Sequence, residues 1–214
     1  MKKVSIINYG LSNLLSVEHA FRCFGVQEEI INTCEDIEKA EVLVLPGVGA
    51  FEDGMKGLEA LNLIRPLRQK VTNGTPLLGI CLGMQLLFDE SEEFGLHRGL
   101  GFIPGRVVEI SGKDINGMIQ KVPHISWDPL LASGNKSFSR TILEDVAEGE
   151  ECYFIHSFEA VPSKQENRLA DTIYGGRRIC AVAYDGNVYG TQFHPEKSGQ
   201  VGLRIIKKFI DMFC

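Results

Sequence analysis

Hydrophobic and polar positions along the first ninety residues switch between two periods. Val4, Ile6 and Ile7 form a short β-branched run that stops at Tyr9-Gly10 and predicts a buried strand. From there Leu14, Val17, Ala20, Phe21 and Phe24 recur at helical intervals, with Ser12 or Asn13 placed to cap the start and Gly25 to end it. The unit then repeats. Glu28 to Asn32 reads as a strand, and Glu41 to Leu45 as a stronger one, broken by Pro46-Gly47-Val48-Gly49. Helical periodicity returns from Phe51 to Asn73, in two pieces because Pro66 and the glycines interrupt it. Pro76 to Ile80 predicts another buried strand, and Met84 to Asp89 the opening of a helix.

Strands alternating with helices over short loops predict a parallel sheet covered on both faces. The second half differs. Arg106 to Ile110, Tyr153 to Val161, Leu169 to Tyr174, Ile179 to Tyr184 and Val188 to Phe193 read as strands with little helical period between them, so antiparallel strands extend or flank the sheet. A helix from Gln200 to Met212 closes the chain. No repeat or linker interrupts residues 1–214, which are expected to form one α/β domain: an open, mostly parallel sheet flanked by helices, with additional antiparallel strands.

Composition narrows the function classes. A chain of 214 residues with 44% hydrophobic and 23% charged positions has the balance of an ordinary globular protein. No apolar run approaches the roughly 18 residues of a membrane helix, and Val4 to Ile7 is too short for a signal peptide, so a cytoplasmic protein with no membrane partner is expected. A formal net charge of −6 gives no global basic footprint, and no nucleic-acid partner is expected. The six cysteines contain no C-x-x-C pair, so they read as reduced thiols, most of them in the core, with no metal site.

One cysteine sits in a different context. Gly79-Ile80-Cys81-Leu82-Gly83 is a G-x-C-x-G that follows an apolar strand and precedes a helix, the cysteine form of a nucleophile elbow. A sharp strand-to-helix turn projects the nucleophile away from the sheet, and the flanking glycines remove Cβ atoms that would clash there. The helix N-terminus favours a thiolate at Cys81, and the Leu82 N–H points where an oxyanion would form. His194 precedes Pro195, which biases it to an extended conformation at the carboxyl end of its strand, the sheet edge where Cys81 is expected. It can serve as base and then acid, with Glu196 fixing its tautomer. Read singly, Cys81 also fits a buried thiol in a glycine-rich turn, and His194 a loop histidine beside a solvated Glu196.

Taken together, Pro46-Gly47-Val48-Gly49, Gly79-Ile80-Cys81-Leu82-Gly83-Met84-Gln85 and Gln192-Phe193-His194-Pro195-Glu196-Lys197-Ser198 resemble the motifs of the class I, or triad, glutamine amidotransferases, which share a flavodoxin-like fold. The resemblance covers the whole chain and is strongest to the glutaminase subunits of imidazole glycerol phosphate synthases, through Asn8-Tyr9-Gly10, Asn13-Leu14, Gly99-Leu100-Gly101, Ile103-Pro104-Gly105, Lys121-Val122-Pro123-His124 and Tyr153-Phe154-Ile155-His156-Ser157.

The resemblance implies that Cys81 attacks the side-chain amide of L-glutamine, giving a thioester and ammonia, with His194 and Glu196 completing the triad. It implies a second oxyanion donor, Val48 or Gly49, in the Gly47-Val48-Gly49 loop beside that of Leu82, and places Gly47, Gln85, Glu93, His156 and Ser157 around the substrate. Without it, Glu93 reads as a solvated acid in an acidic run. No cofactor is implied. Ammonia is protonated in open water, so the implied partner is a (β/α)8 cyclase in a heterodimer, contacted by Asn13, Pro123, Trp127 and Lys197 and making imidazole glycerol phosphate in histidine biosynthesis. The segment Pro123-His124-Ile125-Ser126-Trp127-Asp128 departs from the usual Pro-His-Met-Gly-Trp-Asn of that subunit. A paralogue supplying ammonia for surface-polysaccharide sugars, a stand-alone cysteine hydrolase and a non-catalytic regulatory subunit are the alternatives.

Overall fold

The computed structural model describes residues 3–11 and 13–214, which leaves Ser12, one of the two expected cap residues, outside the described residues. Strand β1 (Val4–Ile7), helix α1 (Leu14–Arg22) and strand β2 (Glu28–Ile31) open the chain as expected, although the Asn13 side chain makes no capping bond. A helix that the periodicity did not predict, α2 (Cys34–Lys39), precedes β3 (Val42–Gly47). β3 runs through Pro46 rather than breaking before it. Its pairing with β1 ends at Val44, so the missing Pro46 N–H costs no ladder bond on that side.

Helices α3 (Phe51–Ala60) and α4 (Ile64–Thr72) separate at Asn62, held at φ +57°, and not at Pro66. Pro66 lies in the first turn of α4, where no backbone N–H has an intrahelical partner. β4 (Leu77–Cys81) enters α5 (Leu82–Leu86), which stops after five residues; Asp89, expected to be helical, belongs to β5 (Phe88–Ser91). There follow β6 (His97–Arg98), β7 (Ile103–Glu109), β8 (His124–Pro129), β9 (Leu131–Ala132), β10 (Glu151–His156), β11 (Phe158–Pro162), β12 (Arg168–Tyr174), β13 (Arg177–Asp185), β14 (Val188–Thr191) and α6 (Gly199–Phe213). The single strand expected from Tyr153 to Val161 is thus two, divided at Ser157, because the chain there leaves one sheet for another.

The main sheet has eight strands in the order β2-β1-β3-β4-β14-β13-β12-β9. β2, β1, β3, β4 and β14 are parallel, and β13, β12 and β9 extend them antiparallel. Two small sheets, β10-β8 and β11-β7-β5-β6, flank it. Successive residues of the central strands serve opposite cores: Val42, Val44, Leu78 and Ile80 pack with Phe21 and Phe209 under α1 and α6, while Leu43, Leu45 and Leu77 pack with Phe51, Leu58 and Leu67 under α3 and α4. Among the described residues no cysteine is in a disulfide, but only Cys81, Cys152 and Cys180 are buried; Cys34 and Cys214 are half-buried and Cys23 is exposed, fewer core thiols than the sequence suggested. Among the described residues no helix is long and apolar enough to cross a membrane.

Candidate active site

Strand register brings the chemistry-bearing segments to one sheet edge. Gly47 at the end of β3 lies opposite Cys81 at the end of β4, and Thr191 at the end of β14 lies opposite Ile80. The loops after three adjacent strands therefore meet at Cys81. Its backbone has φ +54° and ψ −111°, a strained conformation for a residue with a Cβ. The flanking glycines allow it: a Cβ on Gly79 would lie 2.7 Å from the Gly83 carbonyl oxygen, and one on Gly83 only 1.7 Å from that of Leu45.

His194 follows β14 with extended backbone angles and is buried. Its N–H donates to the Tyr153 carbonyl at 3.1 Å and its own carbonyl accepts from Ser198 Oγ at 2.6 Å, so the loop is pinned on β10. Nδ1 lies 2.7 Å from Glu196 Oε1, and the ring lines the same pocket as the Cys81 side chain. Burial disfavours the imidazolium, but hydrogen bonds to Cys81 and Glu196, and their charges, outweigh it and raise His194 to about 9. The Cys81 sulfur also faces the Ile155 carbonyl and Gln192 Nε2, each at 3.9 Å.

A pocket of about 290 Å³ opens on this cluster, walled by Val48, Gly49, Cys81, Leu82, Gln85, Glu93, Pro123, His156, Ser157 and His194 among others. A larger groove of about 980 Å³ between α2, α3 and α4 contains none of these residues and no nucleophile beyond the half-buried Cys34. Glu93 is buried rather than solvated: its Oε2 accepts from the Phe51 N–H at 2.7 Å, at the start of α3, whose preceding Ala50 has no side chain to cap with. Burial raises its pKa against that hydrogen bond. The Val48 N–H donates to the Leu11 carbonyl at 2.8 Å and so does not point into the pocket. Both ring nitrogens of His156 are occupied within the protein, Nδ1 at 2.8 Å from the Phe158 carbonyl and Nε2 at 3.0 Å from His124 Nδ1. Ser157 is half-buried on the pocket wall. Gly47, expected around the substrate, is not part of the pocket lining; a Cβ on it would lie 2.1 Å from the Tyr9 hydroxyl. Of the expected contact residues only Pro123 reaches the pocket; Asn13, Trp127 and Lys197 are exposed at the surface.

Sequence reasoning assigned no role to Gln192, His124 or Tyr9. Gln192, completely buried, links Gln85 to the sulfur; His124, also completely buried, backs His156; the buried Tyr9 hydroxyl lies beneath Gly47 with no hydrogen-bond partner. Only Gln192 had a signal, its place two residues before His194 in the segment that leaves β14. Among the described residues no group of histidine, cysteine and acidic side chains is arranged to hold a metal.

Comparisons with known proteins agree with this arrangement. The family model described as glutamine amidotransferase class-I matches residues 5–212. The chain is 51% identical to the imidazole glycerol phosphate synthase subunit HisH 1 of Legionella pneumophila strain Lens, over 99% of this chain and 100% of that protein. It is 45% identical to the HisH subunit of Syntrophotalea carbinolica over 98% and 100%. Among solved structures, PurLQS from Thermotoga maritima superposes with a TM-score of 0.71 over 99% of both chains at 21% identity, a likeness of fold. A fold of this topology, a cysteine elbow at the carboxyl edge of its parallel strands and near-complete matches at half identity converge on one assignment: the chain belongs to the class I glutamine amidotransferases.

Proposed function

We propose that the chain is the glutaminase subunit of an imidazole glycerol phosphate synthase, that Cys81, His194 and Glu196 carry its chemistry, and that residues 1–214 act as one glutaminase domain. The observation that carries the reading is His194, its Nδ1 held 2.7 Å from Glu196 Oε1 while its ring lines, together with Cys81, a pocket that fits one amino acid. The thiolate of Cys81 attacks the side-chain amide carbon of glutamine, and the Leu82 N–H receives the oxyanion. The C–N bond then breaks as His194 gives its proton to the leaving nitrogen, releasing ammonia and a thioester. A water molecule, its proton taken by His194, attacks the thioester; glutamate leaves and the thiolate is restored. Glu196 holds Nδ1 so that Nε2 is the nitrogen that works. Gln85, Glu93, Ser157 and the Gly47-Val48-Gly49 loop shape the end of the pocket that receives the amino and carboxyl groups.

The ammonia acceptor is on a partner, a (β/α)8 cyclase in a heterodimer. Support comes from the ribbon formed by β8 and β10, whose outward residues Ile125, Trp127 and Ile155 are 45%, 49% and 38% exposed. They make an apolar face beside the pocket, continuous with the exposed Val48 at its rim. The homologous subunits are biosynthetic, and a cytoplasmic location follows from that role. The test is ammonia release from glutamine by the chain with its co-purifying cyclase. Wild type is expected to hydrolyse glutamine and Cys81→Ala to lose the activity; a glutamine-analogue electrophile is expected to label Cys81. A complex that releases no ammonia and leaves Cys81 unlabelled would overturn the reading, and a sugar-pathway cyclase as the co-purifying partner would overturn the acceptor.

A further inference from the structure

Three polar groups on the ribbon take no part in the chemistry above: the half-buried Asp128, and the buried rings of His124 and His156. What each neighbour can donate or accept fixes where their protons lie. The Phe158 carbonyl can only accept, so His156 Nδ1, 2.8 Å away, carries a hydrogen. Burial keeps the His156 ring neutral, its pKa pushed down to about 3, so Nε2 is bare. The hydrogen in its 3.0 Å contact with His124 therefore belongs to His124 Nδ1. His124 Nε2 then faces Asp128 Oδ2 at 2.6 Å, with Ser126 Oγ at 2.9 Å. Two lone pairs would repel at 2.6 Å, so a proton lies between them. Burial disfavours charge on His124 and Asp128 opposes that effect; a proton shared within a pair of no net charge satisfies both. The Tyr174 and Phe154 rings stack on the two faces of His124, at 4.1 and 5.1 Å between centroids, and His194 is the further titratable group acting on His156.

The connection does not stop at His156. The Phe158 carbonyl also accepts from Gln85 Nε2 at 3.0 Å, Gln85 Nε2 lies 3.1 Å from Gln192 Oε1, and Gln192 Nε2 faces the Cys81 sulfur at 3.9 Å. Its outer end is the inward face of β8, whose outward face carries Trp127 and Ile125. We propose that Asp128, His124 and His156 are positioning residues for glutamine hydrolysis, forming a hydrogen-bond relay from the exposed ribbon, beneath the glutamine pocket, to the Phe158 carbonyl, where it meets the Gln85–Gln192 link to Cys81. This rests on the glutaminase reading.

The test is made on the complex with the cyclase. Nitrogen-15 spectra of the histidine rings are expected to show Nδ1 protonated and Nε2 bare in His156, Nδ1 protonated in His124, and a strongly downfield proton shared with Asp128. His124→Phe keeps the stacking and removes the donor; it is expected to raise KM for glutamine about tenfold while changing kcat less than threefold, because the pocket wall is displaced more than the weakly linked sulfur. Asp128→Asn, whose amide still donates to His124 Nε2, is expected to keep KM within about twofold and lose the downfield proton, whereas Asp128→Leu behaves like His124→Phe. A His156 ring protonated at Nε2, a His124→Phe complex with wild-type KM, or Asp128→Asn as impaired as Asp128→Leu would overturn the relay. Should wild type release no ammonia, the glutaminase reading falls, and the ring tautomers still decide the relay.

Discussion

His194 and His156 lie in one pocket and are driven in opposite directions. Burial opposes charge on both, but His194 gains Cys81 and Glu196 as partners and is raised to about 9, while for His156 burial, helped by His124 and His194, outweighs the Phe158 carbonyl and lowers it to about 3. The linkage signs differ accordingly. His194 contributes stability that is complete below its unfolded pKa of about 6.5 and is lost as pH rises through about 9. His156, bare in the folded chain and protonated in the unfolded one, removes stability as pH falls from about 6.5 toward 3, with a slope approaching ~1.4 kcal/mol per pH unit. Urea midpoints measured across that acid window are expected to fall less steeply for His156→Gln than for wild type; parallel curves would show that His156 does not titrate there. Glu196→Gln keeps a hydrogen bond and removes the charge that supports the imidazolium. It is expected to lower kcat/KM by about 10²-fold and to move the alkaline limb of its pH profile downward, read from steady-state glutaminase rates between pH 6 and 10.

At the scale of elements, the elbow depends on one close approach. Gly83 opens α5 directly over β3, and a Cβ there would meet the Leu45 carbonyl oxygen at 1.7 Å, a backbone atom that cannot move aside. Gly83→Ala is therefore expected to cost on the order of 3 kcal/mol or more in a urea melt and to abolish labelling of Cys81, whereas Gly112→Ala, with nothing within 4 Å, costs little. This elbow was legible in the sequence because a sharp strand-to-helix turn forces a local pattern: a buried strand and two glycines flanking Cys81 within five residues. Four of the five parallel strands, β1, β3, β4 and β14, were legible for a similar reason, being short and buried on both faces, whereas the edge strand β2 is partly exposed. Elements specified by other means were not. Helix α2 is too short for a periodicity; its signal is Thr33, whose Oγ1 accepts from the Asp36 N–H at 3.2 Å. Strand β8 escaped because its pattern is inverted, with His124, Ser126 and Asp128 turned inward and Ile125 and Trp127 outward. Apolar-out alternation predicts no buried face in a lone chain, and makes sense only for a ribbon with a second surface to cover. Glu93 was missed as a site residue by composition alone because its burial depends on the distant α3 N-terminus, 42 positions away.

For the whole molecule, the question is whether the isolated chain is competent or waits for its partner. The Val48 N–H, with that of Gly49 one of the two expected as second oxyanion donor, is held by the Leu11 carbonyl at 2.8 Å, and Leu11 lies two residues from the exposed Asn13, an expected partner contact. A cyclase seated on Asn13 and on the apolar ribbon would act on both sides of that hydrogen bond, and releasing it lets the Val48 peptide turn its N–H toward the sulfur. One oxyanion donor is worth about 10²–10³-fold in rate. The glutaminase rate of the isolated chain is therefore expected to rise by about that factor on saturation with the cyclase, with the larger part in kcat. Hydrogen exchange gives an independent reading: the Val48 amide is expected to be protected in the isolated chain and to exchange faster in the complex, against the general slowing that burial at an interface produces. Equal rates with and without the cyclase, or a Val48 amide as protected in the complex as outside it, would show that the Leu11 contact is not the switch and that activation, if any, enters through the ribbon and His124 instead.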